Sequence, residues 1–281
     1  MKKTRVTSCC LLGLGLLTGT IYAQEKTELQ FTYKQGETYR YRSDYSYDMT
    51  QEMNGQEMKM TGTTKSVIRL FVETVNADGD MTLINCYDEL RSTMKNVMMD
   101  TTIEQKELIG KRGKVVITKS GKELLQQLID TVKSEKGMAT GNVASMYSVN
   151  FPILPDHPVA LGDKWTSEHT DTVKVGDGST ITKSNTEYTL IQKEKKDGHE
   201  CLNIGFVSKS ETTGKMTQMG MEMFLEGDGE TRGAIWLDPV LGIVVAKETT
   251  STQNMTYALT GQMKMSIPST QIIKSTYSLV E

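Results

Sequence analysis

The chain has 281 residues, 37% of them hydrophobic and 24% charged, with 32 Lys and Arg against 35 Asp and Glu and a formal net charge of −3. That balance leaves no basic surface to pair with phosphates, which argues against nucleic acid as a partner. Four cysteines in a chain of this length are too few for a disulfide framework to define the fold.

Lys2, Lys3 and Arg5 lead into an apolar run through Leu11, Leu12, Leu14, Leu16 and Leu17, and Ala23 supplies a small residue at its end. This is the pattern of a secretory signal peptide over residues 1–23. The run falls short of the ~20 apolar residues a membrane anchor needs. Cys9 and Cys10 stand at its front, where a lipid-modified cysteine would not be. The expectation is a bacterial exported protein, soluble after cleavage, in the periplasm or outside the cell. Cys86 and Cys201 would then be either one disulfide or two buried thiols.

Residues 24–119 read as a first β half. Phe31, Tyr33, Tyr39 and Tyr41 are spaced by polar residues as in a half-buried strand. Asn54 and Gly55 sit between two alternating runs, a strong hairpin signal. Val67 to Val75 is β-branched, Asp78 and Gly79 turn the chain, and Met81 to Tyr87 return it.

Residues 120–158 read differently. Leu124, Leu125, Leu128, Ile129 and Val132 recur at helical spacing. Ser120 and Glu123 suit a capping box, and Gly137 suits a C-terminal stop, which together predict a helix from Ser120 to Lys136. Pro152, Pro155 and Pro158 then fix the backbone as a stiff connector.

Residues 159–281 form a second β half that opens like the first. Gly162, Asp163 and Trp165 match Gly36, Glu37 and Tyr39, and the turn at Asp197 and Gly198 matches Asp78 and Gly79. The predicted fold is mainly β: a large curved antiparallel sheet, either one sheet or two related meanders, packed around the central helix as one domain.

Eighteen methionines are the unusual feature of the composition. Met58 and Met60, then Met219, Met221 and Met223, then Met263 and Met265 recur at every second position, which places each set on one strand face. Methionine fills irregular cores, and a Met face can also re-pack around varied apolar ligands. These seven are the candidate apolar binding face, for a lipid, an acyl chain or an apolar protein partner. Thioethers are also soft ligands, so a Cu(I)-handling protein is the alternative, beside a structural envelope protein with no ligand. No residue is assigned as a metal ligand or catalyst, and no cofactor is implied. His157, His169 and His199 are scattered and no hydrolase, zinc or P-loop motif occurs. A hydrolase whose carboxylates converge in three dimensions is the third class.

The stretch from Phe151 to Trp165, the opening from Gln35 to Tyr41, and Trp236 to Gly242 together resemble an uncharacterised family of exported bacterial β-rich proteins, a domain of unknown function, over nearly the whole mature length. That resemblance implies no residue roles. A more distant similarity, of organisation alone, is to periplasmic lipoprotein carriers and related mycobacterial lipid-binding lipoproteins, in which a curved sheet holds a helix.

Overall fold

The computed structural model describes residues 25–53, 55–97, 99–132, 147, 151–175, 178–218, 221–260 and 264–280. Twelve strands make one curved, unclosed antiparallel sheet. The first half supplies β1 (Thr38–Met53), β2 (Gln56–Val75), β3 (Met81–Asn96), β4 (Asp100–Glu104), β5 (Arg112–Ile117) and β6 (Glu123–Leu128). The second supplies β7 (Lys164–Val175), β8 (Gly178–Lys196), β9 (His199–Gln218), β10 (Met221–Asp238), β11 (Ile243–Thr260) and β12 (Met265–Leu279). The order is β6-β5-β3-β2-β1-β12-β11-β10-β9-β8-β7, with β4 on β3. Each half is a meander, and the seam between them joins the first strand to the last, with Tyr41 opposite Leu279.

The strands are long because turn residues are confined to their ends. β2 has 20 residues, roughly 65 Å at the usual rise per residue. The sheet thus has a base, where β1 begins, and a far end, where β1 turns into β2 at Gly55 with φ +73°. At the base, Tyr41, Leu70, Leu83, Ile204 and Ile235 share one face and are at most 1% exposed. Each contributes about 1.5–3 kcal/mol of burial.

The predicted helix does not form: the described residues contain no α-helix, and Glu123–Leu128 is strand β6, paired antiparallel with β5. Gly121, at φ +89°, makes the turn between them, and a Cβ there would overlap the Pro152 carbonyl and the Phe31 ring. A helix cannot start through that turn. The Ser120 hydroxyl pairs with Thr118 Oγ1 at 2.9 Å and forms no capping box. Leu124 and Leu125 are 53% and 42% exposed, so the apolar stripe is not a buried one. Residues 133–136 lie outside the described residues.

Two extended segments fill the concavity where a helix was expected. Residues 25–34 bring in Leu29, Phe31 and Tyr33, so the aromatic alternation read as a first strand begins outside the sheet. The proline-rich segment brings in Leu154 and Val159. Their backbone groups pair with each other and with the hairpin ends. Thr27 and Val159 exchange N–H···O bonds of 2.8 and 3.0 Å, Phe31 N–H donates to the Lys119 carbonyl, and Leu154 N–H to that of Ser120. Tyr41 donates to the Val244 carbonyl at 2.9 Å and shares a 2.8 Å hydroxyl contact with Tyr33, which accepts from Val244 N–H. The buried hydroxyls are therefore satisfied.

The two halves open with the same geometry. Gly36 and Gly162 sit at φ +84° and +89°. Gly36 N–H donates to the Val72 carbonyl and Gly162 N–H to that of Leu190; the Glu37 carbonyl accepts from Val72 and the Asp163 carbonyl from Leu190. Directly beyond, β2 and β8 each carry a bulge, at Val72/Thr74 and Leu190/Gln192.

Candidate functional site: a methionine band at the far end

Directly opposed residues of an antiparallel ladder share a face. Tracing register outward from the buried Tyr41 therefore identifies the core-side face along the whole sheet. Its middle rows carry hydroxyls that bond across strands, such as Thr186 to Ser208 at 2.8 Å and Thr249 with Ser275 at 2.7 Å. Glycines interrupt them, and neighbours lean over the gaps: the Tyr47 ring covers Gly62 and the Phe206 ring covers Gly233. Strand glycines of this kind let a sheet coil sharply.

Beyond the hydroxyls, the same face turns apolar again. Met49 lies opposite Met60, and Gln51 opposite Met58. In the other half Met223 lies opposite Met216 and Leu259, and Leu259 opposite Met265. Met255, Tyr257, Leu225 and Ile267 fill the adjoining rows. Of the predicted residues, Met58 is exposed and Met60, Met223 and Met265 are half-buried on this face. Met221 stands two residues from Met223 on β10. Met219 and Met263 lie outside the described residues. Burial raises the hydroxyls of Tyr45, Tyr47 and Tyr257 above their ordinary value, which marks the surroundings as partly dehydrated.

Met49, Met216 and Met255 belong to the band without being among the predicted residues. Met49 was legible: a two-residue turn fixes hairpin register, so counting outward from Met53 and Gln56 puts Met49 against Met60. Met216 needed the β9–β10 pairing, for which the sequence holds no comparable turn signal.

The opposite face at the far end holds an open hollow of about 750 Å³. Glu52, Glu57, Glu211, Glu226, Asp228 and Asn254 line it among Thr and Ser side chains. Glu57 pairs with Lys59 at 3.8 Å and Asn254 donates to Asp228 at 3.4 Å. No histidine or cysteine lines it, and this gathering of carboxylates resembles a solvated surface more than an acid–base pair. Among the described residues no group of His, Cys, Asp and Glu is placed to hold a metal ion.

Cys86 and Cys201 are separate buried thiols. Burial pushes Cys201 up to about 11, which keeps it an unreactive thiol. His199 Nδ1 lies 2.9 Å from Asp238 Oδ2, and Asp238 Oδ1 accepts from Val240 and Leu241 N–H, so this pair closes the β10–β11 turn.

No protein-family model and no curated protein matches the chain. Among solved structures it is similar to several proteins of Pseudomonas aeruginosa. OpdQ shows 8% identity and a TM-score of 0.27 over 87% of this chain and 100% of that one. OccK5 (OpdH) shows 7% and 0.28 over 89% and 100%, and OccK11 (OpdR) 6% and 0.25 over 91% and 99%. TM-scores this low carry no argument about fold, location or activity. The strand path differs from that of a closed antiparallel barrel. Eleven strands lie along it, so the edge strands β6 and β7 run in the same direction and cannot pair antiparallel. The face away from the core carries Arg40, Arg42, Asp48, Glu52, Lys59 and Lys65 on β1 and β2, where a membrane barrel needs an apolar band.

Proposed function

We propose that this is an exported, non-catalytic envelope protein that binds an apolar ligand of the acyl-chain kind on its methionine band. The observation that carries the reading is the register, which gathers methionines from both halves on one partly exposed face beyond the packed core. Unbranched thioether side chains adapt to irregular apolar shapes at low cost. The basic-then-apolar N-terminus supports export. The resemblance to exported β-rich proteins of unknown function belongs to the same reading.

Native mass spectrometry of the mature protein, purified from its own envelope without detergent, tests it. Excess mass that dissociates as a lipid, and that disappears in a Met223→Gln, Met265→Gln double variant with unchanged melting temperature, is the expected result. A bare polypeptide mass that stays bare when fatty acid or phospholipid is added overturns it and leaves the methionines as packing.

A further inference from the structure

We propose that Met49, Met58 and Met60 form a thioether site for a soft monovalent cation, Cu(I), on the core-side face of the β1–β2 hairpin. Met49 and Met60 are directly opposed across the ladder, which places their Cβ atoms about 4.5–5.5 Å apart. Met58 is two residues from Met60 on the same strand and face, about 7 Å along it. Each sulfur rides on three rotatable bonds, so three thioethers can converge on one centre without moving the backbone. The two-residue turn at Gly55 holds the register that brings them together.

The chemistry of this set is selective. A thioether is neutral and soft: it suits Cu(I), and it is a poor ligand for magnesium, calcium or manganese, which take oxygen donors. It carries no proton to lose, so binding here does not compete with protonation as it does at thiolate, imidazole or carboxylate sites. The hairpin's charged residues Glu52, Glu57 and Lys59 stand at alternate positions, on the opposite face, and the polar residues beside the sulfurs are Gln51 and Gln56 on the hairpin, Gln271 opposite Met49 and Asn96 opposite Met60. Met58 is 36% exposed and gives a cation access, whereas Met49 and Met60 are half-buried. Met53 on β1 and Met94 on β3, opposite Gly62, are further thioethers on this face, whereas Cys86 and Cys201 are buried thiols.

This inference stands apart from the apolar-ligand reading, because leucine preserves an apolar face and removes only sulfur. The test is an oxygen-free titration of the mature protein with Cu(I) against a chromogenic Cu(I) chelator. One equivalent bound, with the same affinity at pH 5 and pH 8 and a sulfur-only first shell by X-ray absorption, is expected. The Met49→Leu, Met58→Leu, Met60→Leu variant should lose that equivalent at an unchanged melting temperature; single Met49→Leu, the mildest change, should weaken it. Cys86→Ser with Cys201→Ser should retain it. Failure of the wild type to take copper from the chelator, binding that survives the triple variant, or binding that vanishes with the cysteines each overturns the site. Lipid capture by the triple variant is read separately, so either proposal can fail alone.

Discussion

At the base of the sheet, Leu70 and Ile204 are fully buried beneath residues 25–34 and the proline-rich segment, whereas at the far end Met58 on the same face is 36% exposed. The ladders between the two places are continuous, so pairing does not distinguish them. What differs is a second layer: a sheet face becomes a core only where something covers it. The base is covered by two extended segments that satisfy their own backbone groups. The far end is left to long, adaptable side chains.

The largest expected effect tests the base. Ile204→Ala should cost about 2–5 kcal/mol, read as a fall in the urea midpoint at unchanged slope. A loss below about 1 kcal/mol would mean that the two extended segments do not pack as described. Gly121→Ala probes the same layer from its edge: left-handed backbone and a blocked Cβ predict about 1–3 kcal/mol. Proteolytic cleavage of the proline-rich segment should quicken as well.

A third prediction uses pH. Burial holds the Lys247 ammonium at about 8, below its ordinary 10.5. Between those values the unfolded chain binds the extra proton, so stability rises as pH rises through that window and the penalty is fully present below it. Lys247→Met should flatten the dependence between pH 7.5 and 9.5 and raise stability at pH 7. Above about pH 10 the trend reverses, because burial holds Tyr41 and Tyr277 protonated and their unfolded counterparts ionise first. The smallest effect belongs to the far end. Met223→Ala, on an uncovered row, should cost about 1 kcal/mol or less by thermal or urea melting. A cost equal to that at Ile204 would show that something covers the band after all.

This contrast explains what could be read in advance. Turn chemistry is local, so Gly55, Gly79 and Gly198 lie where the hairpins predict, each at positive φ. The antiparallel meanders and the shared face of Met58 and Met60 follow from them. The covering layer is not legible in advance because periodicity there does not decide the structure. Leu124, Leu125 and Leu128 satisfy helical spacing as well as they satisfy a short strand, and only the turn at Gly121, set by contact with Pro152 and Phe31, decides between them. Phe31 and Tyr33 alternate like a strand yet serve as filling. The position of the band relative to the core depended on pairings between residues more than 200 apart, such as Tyr41 with Leu279.

That last pairing also governs the order of events when the chain folds. β12 follows the other eleven strands in the sequence, yet it docks in the middle of the sheet, between β1 and β11. Each meander can zip locally within itself, whereas the seam must wait for the longest loop closure in the molecule, with a search cost to match. Until then two half-sheets expose unpaired β1 and β12 edges, which are natural docking points for a chaperone or for another unfinished copy. Cutting the chain before Met265 would therefore split the sheet through its centre instead of trimming its rim.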